Sequence, residues 1–403
     1  MPREGPFEFA FESPAAAVEA LLARVQPVDD ETVILEDALG RILAADVRAD
    51  RDSPSVDMSS MDGFAVRIAD VGVAGLKVVG EVRIGQEPPS LGAGACVRIV
   101  TGGAIPPGAE AVVRCEDTVE SGGRITFTSG LRVHPGENIR RAGENLRAGD
   151  VAIARGTRIT PAVAGALAAF GVRKPAVHRM LTVGVITTGD EVVAISESPT
   201  RWQLRDSNSA ALWTMLASLR AVEVRHTHVP DDAARLNAAV ATHLRKCDAL
   251  LLTGGVSMGH RDFVGDAIAA AGVKPIFHGL PQRPGKPILG GVTDDGRPVL
   301  GLPGNPVSVL VTARRIGVPA LLARAGMDRI EQPTLVRITK PGDKVIDLWW
   351  HRPVRLIGAG EAELADTRSS GDVAGTAGSD GFVEVPPRLT GPGPWPFYAW
   401  GAG

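Results

Sequence analysis

The sequence predicts a multidomain α/β-plus-β protein: a central, mainly parallel α/β domain, an inserted β domain before it and a C-terminal β domain after it. Three observations carry this. At 403 residues the chain is too long for one ordinary domain. Strand and helix patterns alternate over 178–326, which implies a sheet of mainly parallel strands covered by helices. From about 49 to 150, and again from 327 onward, short β-rich runs are instead separated by Gly and Pro.

Composition supports a folded protein with an aliphatic core. Hydrophobic residues make up 44% and charged residues 22%, whereas aromatics are only 4%. The 48 glycines and 30 prolines point to many tight turns. A net charge of −3 gives no general attraction to nucleic acid or to anionic membrane. Three widely spaced cysteines, with no CxxC pair, suit neither a zinc cage nor a disulfide framework. They are expected as buried or half-buried thiols in a reducing compartment. No stretch approaches the roughly 20 apolar residues of a bilayer span, and the N-terminus lacks a signal-peptide core. A cytoplasmic protein with no membrane and no nucleic-acid partner is therefore expected.

Taken in order, Ser13-Pro14 opens a helix, with Ser as N-cap and Pro at the first helical position. Val18, Leu21, Leu22 and Val25 fall on one face at helical spacing. Residues 32–48 read as a strand, a short helical LEDALG and a second strand, RILAADV. The runs LKVVGEVRI, CVRIVTGG, AEAVVRCEDTVE and GRITFTS are strands of the inserted β domain. A helix near 159–178 enters at Thr160-Pro161 and leaves at Gly171. In the α/β region, MLTVGVITTG, VEVRHTHV, ALLLTGG, KPIFHGL, KPILGG and PVLGLPGN are strands. Helices begin at Asp206, Asp231 and Asp262, and another follows PVLGLPGN.

Open parallel sheets bind ligands outside the C-terminal ends of their strands. Three apolar strands here end in polar or glycine-rich loops: Thr187-Thr188-Gly189-Asp190-Glu191, Thr253-Gly254-Gly255-Val256-Ser257-Met258-Gly259, and Pro303-Gly304-Asn305-Pro306-Val307-Ser308. Glycines let backbone N–H groups approach a phosphate, and hydroxyls complete the cradle. Arg283-Pro284-Gly285-Lys286 places two cations between the second and third loops, Arg suited to bidentate oxyanion recognition and Lys to a point charge. Carboxylates Asp190, Glu191 and Asp262 share these loops, which suits a phosphate ligand accompanied by Mg²⁺. Each piece has an ordinary explanation: a surface turn at Thr188–Glu191, a helix cap at Asp262, a tight turn at Gly254-Gly255, solvated charges at Arg283 and Lys286. Their joint occurrence at successive strand ends favours a site. Neither a P-loop nor a strand-initial GxGxxG is present.

Together these loops resemble the molybdopterin molybdenumtransferases, the MoeA and gephyrin E-domain family. The motifs are DALGRILAADV (37–47), SSMDGFAVR (59–67), RIVTGGAIPPGAEAVV (98–113), ENIRRAGENLRAGD (137–150), TTGDEV (187–192), LLTGGVSMG (251–259), RPGKP (283–287), LPGNPVS (302–308) and SSGDVAGTAGSDGFVEVPP (369–387). They run in order over nearly the whole chain. The resemblance implies an elongated connecting domain from 1–48 and 140–177, an inserted β domain over 49–139, an α/β molybdopterin-binding domain over 178–326 and a C-terminal β domain over 327–403. It implies a homodimer with a shared cleft and a reaction of adenylylated molybdopterin with molybdate, dependent on Mg²⁺, that releases AMP. Molybdoenzyme apoproteins are the implied recipients.

Carried over by motif, Asp62 and Thr101 would reach the cleft across the dimer, Asp62 as a catalytic residue. Asp190, Glu191, Asp231 and Asp262 would form the acidic set for the metal, with Glu191 and Asp262 also catalytic. Thr188, Gly254, Gly255, Ser257, Gly304 and Asn305 would line the cradle for pterin phosphate and nucleotide. Arg283 and Lys286, with Arg352 and Ser370 from the last domain, would hold molybdate, a dianion that needs converging cations and hydroxyls. Asp62-Gly63 also suits a hairpin turn, Asp231-Asp232 a helix start, and DLWWHRPVRL around Arg352 departs from the family pattern. So do Met58 for Asn, Arg283 for Lys, Asn145 for Asp, and His260-Arg261 beside Asp262. Two other readings stand beside this one: an adenylyltransferase acting one step earlier, and a non-enzymic gephyrin-like scaffold.

Overall fold

The structure, a computed structural model, describes residues 9–73, 75–255, 263–328 and 331–401. They pack as two compact units. One comprises Met1–Ala45, Arg155–Gly165 and Arg173–Gly403, and the other Asp46–Ala154 and Ala166–Val172.

In the larger unit the first helix, Pro14–Leu22, begins as its sequence implies: Ser13 Oγ accepts the Ala16 N–H at 3.1 Å. Val18 and Leu21 are buried on the face that joins the main core. Strand Asp30–Thr32 pairs antiparallel with Ala176–His178. The expected strand RILAADV is not continuous. Ile42 and Leu43 make isolated bridges to Arg158 and Val177, and only Val47–Arg48 is a strand. The break falls where the chain leaves one unit for the other, at Ala45.

The α/β sheet has six strands in the order Val222–Val229, Leu181–Thr188, Ala249–Thr253, Pro298–Leu302, Leu289–Val292, Lys274–His278. The first four are mutually parallel, and at one edge Leu289–Val292 runs antiparallel to both of its neighbours, Pro298–Leu302 and Lys274–His278. Side chains alternate between two cores. Val183, Val185, Leu251 and Leu300 face the helices Ser207–Ala217 and Pro306–Thr312. Ile186, Leu250, Leu252 and Val299 face Ala233–Lys246 and Phe263–Ala270. Register then aligns the strand ends: Thr187 is level with Thr253, and Thr253 with Leu302. The three loops named above therefore leave the sheet at one edge. That alignment builds the site.

The run Pro306–Arg324 is helical throughout, with a π-turn at Ala313–Gly317 just before Pro319. Such a turn accommodates the N–H that proline lacks. By length and composition this run could cross a membrane, contrary to the sequence expectation, yet 78% of it is buried within the protein as a core helix would be. Arg315 inside it pairs with buried Glu384 at 2.7 Å.

The C-terminal strands Thr334–Ile338, Trp349–Gly358, Glu361–Leu364, Gly381–Val385 and Trp395–Ala399 close into a barrel, because Trp349–Gly358 pairs with both Glu361–Leu364 and Gly381–Val385. A short strand from the α/β region, Gln282–Arg283, adds to it in parallel and sets Arg283 beside Trp350.

The smaller unit holds a six-stranded mixed sheet in the order Ala111–Arg114, Gly63–Val66, Ala95–Ile99, Leu76–Glu81, Arg124–Phe127, Thr118–Ser121. Its two faces bury Phe64 and Val66 on one side and Ala65, Val97 and Val112 on the other. A Cβ on Gly63 would lie 1.9 Å from the Val113 carbonyl oxygen, so this strand can pack only with glycine there. Cys96 and Cys247 are buried as expected, but Cys115 is exposed. It lies in a 3₁₀ turn, Cys115–Asp117, that contributes nothing to the core.

Candidate active site

Two adjoining cavities open at the strand ends of the α/β sheet and share Pro287, Pro303 and Asn305. The first, of about 670 Å³, is lined by all three loops, through Thr188 and Glu191, Gly254 and Gly255, and Gly304 and Asn305. Asp231 lines it too, preceding the helix that Asp232 caps. Gly254 and Gly255 take φ of +91° and +64°, left-handed backbone that opens the turn. Thr188 Oγ1 donates to the Thr253 carbonyl at 3.2 Å and ties the first loop to the second. Asp190 does not line the cavity. Its Oδ1 accepts the Asp231 N–H at 3.1 Å and joins the loop to the next strand's end. Ser257 and Asp262, with His260-Arg261, lie outside the described residues.

The second cavity, of about 720 Å³, carries Arg283, Lys286, Lys344, Arg352 and Arg368, together with Ser370. Arg283 and Lys286 are exposed, and the Lys286 ammonium lies 5.5 Å from the Phe9 ring centroid. Arg352 is only 9% exposed. It donates to the Pro341 carbonyl at 2.7 Å and stacks over Trp350 at 4.3 Å. Burial lowers its pKa, the direction desolvation gives a cation. Asn305 Nδ2 donates to Ser370 Oγ at 3.0 Å, so a hydrogen bond joins the third loop to the barrel at the boundary of the two cavities.

The smaller unit brings Asp62 and Thr101 together. Asp62 Oδ1 accepts the Thr101 N–H at 2.7 Å and its hydroxyl at 2.9 Å, and these bonds lower the carboxyl pKa. Both residues are exposed. In the same unit Asn145 accepts from Arg140 at 2.9 Å, a structural contact.

Sequence reasoning passed over Asp206 and Asn208, which it read only as a helix start. Both line the first cavity. Asn208 Nδ2 donates to the Gly304 carbonyl at 2.9 Å, while its Oδ1 is buried with no partner, an acceptor held ready for a ligand donor. Asp206 caps its helix by accepting from Ser209 N–H at 2.9 Å. Burial alone would raise its carboxyl pKa, but hydrogen bonds from His226, Ser209 and Thr187 outweigh that and hold it well below the usual range. A helix that opens with Asp-Ser-Asn at a strand-end cleft was the available signal.

Residues 12–171 match the MoeA N-terminal region (domain I and II), and residues 184–323 match the probable molybdopterin binding domain. A molybdopterin molybdenumtransferase from Synechococcus elongatus is 40% identical over 77% of this chain and 79% of its own. Another, from Synechocystis, is 30% identical over 96% of this chain and 100% of its own. The crystal structure of a molybdopterin biosynthesis moeA protein from Pyrococcus horikoshii OT3 superposes with a TM-score of 0.78 at 25% identity, covering 96% of this chain and 98% of that one. The chain belongs to the molybdopterin molybdenumtransferase family, enzymes of molybdenum cofactor biosynthesis.

Proposed function

We propose that this protein inserts molybdate into adenylylated molybdopterin and releases AMP in a Mg²⁺-dependent step. One observation carries the reading: the glycine-loop cavity adjoins the cation-rich cavity across Asn305. A bound nucleotide with its phosphates in the first cavity would present the rest of the cofactor to the second. There Arg283, Lys286 and Arg352, with the Ser370 hydroxyl, hold the tetrahedral dianion. Holding the oxyanion beside the dithiolene turns a bimolecular encounter into a local one. Loop N–H groups at Gly255 and Gly304 are disposed to stabilise charge building on the phosphoryl oxygens as the adenylate bond breaks; the Gly254 N–H instead donates to the Leu302 carbonyl at 3.3 Å.

Among the described residues no group of three His, Cys, Asp or Glu side chains forms a metal cage. This donor set suits Mg²⁺, which takes one or two carboxylates and completes its shell with water and substrate phosphate. Glu191 and Asp231 line the phosphate cavity and are the residues that would hold it. When bound there it would neutralise phosphoryl charge. In a cytoplasmic homodimer, Asp62 and Thr101 of the partner subunit would complete the cleft, and apo-molybdoenzymes would receive the product.

The test is AMP release from adenylylated molybdopterin with molybdate by Glu191→Gln and Asp262→Asn. Each is expected to lose about 100-fold or more. Wild-type rates from both would overturn the assignment.

A further inference from the structure

Behind the first loop lies a polar cluster that the proposed reaction does not use. Strand Val222–Val229 runs parallel to Leu181–Thr188, with His226 level with Val185 and His228 level with Thr187. The Thr187 hydroxyl is the node. It donates to Asp206 Oδ2 at 2.9 Å and lies 2.9 Å from His226 Nε2 and 3.3 Å from His228 Nδ1. His226 Nε2 is also 3.3 Å from Asp206 Oδ2. Thr187 is 2% exposed and Asp206 6% exposed, whereas both imidazoles are exposed, so His226 reaches this buried carboxylate from the rim.

Two parts of the cavity wall hang on this node. Asp206 caps the helix that carries Asn208, and Asn208 holds the Gly304 carbonyl. Thr187 leads directly into Thr188, Gly189 and Glu191, which line the same cavity.

We infer that His226 is a positioning residue whose Nε2–H fixes the Thr187–Asp206 pair, and so holds Asn208 and the 188–191 loop in the geometry that receives the nucleotide phosphate. The inference rests on the nucleotide reading above. A hydrogen bond to an ionised carboxylate is roughly twice as strong as one between neutral groups, so loss of the Nε2 donor loosens the node. Nucleotide affinity therefore depends on a donor at position 226. The ionisable groups facing His226 are Asp206 from the helix, His228 from its own strand and Glu197 from the segment lining the same cleft.

The test is calorimetric titration of AMP into the full chain, comparing wild type, His226→Gln and His226→Ala. Glutamine keeps an amide donor, and His226→Gln is expected within about threefold of wild type. His226→Ala, which has no donor, is expected to be about tenfold weaker. Should His226→Ala fail to fold, Thr187→Val, which removes the hydroxyl node at similar volume, is expected to be about tenfold weaker in its place. Affinity of the folded variant within about threefold of wild type, or a His226→Gln as weak as His226→Ala, overturns the inference while leaving the nucleotide site intact. Absence of AMP binding by wild type would instead remove the nucleotide reading, and this inference with it.

Discussion

Replacing Gly254 by alanine attacks the cavity where its wall is tightest. At φ +91° an L-residue is strained by about 1–2 kcal/mol. The new Cβ would also lie 2.5 Å from Thr188 Oγ1 and 3.2 Å from the Thr188 carbonyl oxygen. The first distance is shorter than any real contact, so the Thr188 side chain must turn away. It then loses its 3.2 Å bond to Thr253, about 1 kcal/mol. The native loop geometry becomes disfavoured by about 2–3 kcal/mol, and AMP binding should weaken by roughly 30- to 150-fold. Calorimetry measures this on the full chain, with Gly272→Ala as control. Gly272 has φ +76° but open space around its Cβ position. Its substitution should therefore cost backbone strain alone, visible as a lowered melting temperature, and leave AMP affinity unchanged. Wild-type AMP affinity in Gly254→Ala would show that this turn does not shape the nucleotide site.

Asn208→Ala removes the 2.9 Å bond to Gly304 and the buried acceptor, and should weaken AMP binding by about tenfold in the same titration. Lys286→Ala and Arg352→Met should each weaken molybdate or tungstate binding at least about tenfold while changing AMP affinity by less than about twofold, because those side chains line the second cavity alone. Burial would raise the Glu384 carboxyl, but the His351 hydrogen bond and the Arg315 charge outweigh it and bring it to about 2, below its ordinary 4.5. Because the folded value is depressed, its contribution of about 3 kcal/mol is complete above pH 4.5 and is lost as pH falls toward 2. Urea midpoints across that window should fall for wild type and stay flatter for Glu384→Gln.

What could be read from sequence was whatever local chemistry decides. Ser13-Pro14 starts a helix because a hydroxyl caps it and proline suits its first turn. The strands ending at Thr188, Thr253 and Leu302 announce themselves as apolar runs broken by Gly, Asp or Pro, and parallel register then puts their ends level. Features set by packing between distant segments were not legible. Nothing local to Arg283 says that it will pair beside Trp350, or that Asn305 will bond Ser370. Asp206 and Asn208 looked like an ordinary cap, because a cap and a ligand group use the same residue types. The expected strand RILAADV had the right composition, but strand pairing needs a continuous partner, and Ile42 and Leu43 find only single bridges. Cys115 has the apolar character of a core residue yet sits in an exposed turn none of whose residues is buried.

The decisive measurement is the dependence of AMP release on oxyanion, with the full chain, adenylylated molybdopterin and Mg²⁺. If adjoining cavities hold nucleotide and oxyanion together, AMP should appear only when molybdate is supplied, and Lys286→Ala should raise the molybdate concentration required. AMP release that proceeds equally without molybdate would mean that the cation-rich cavity does not serve the reaction.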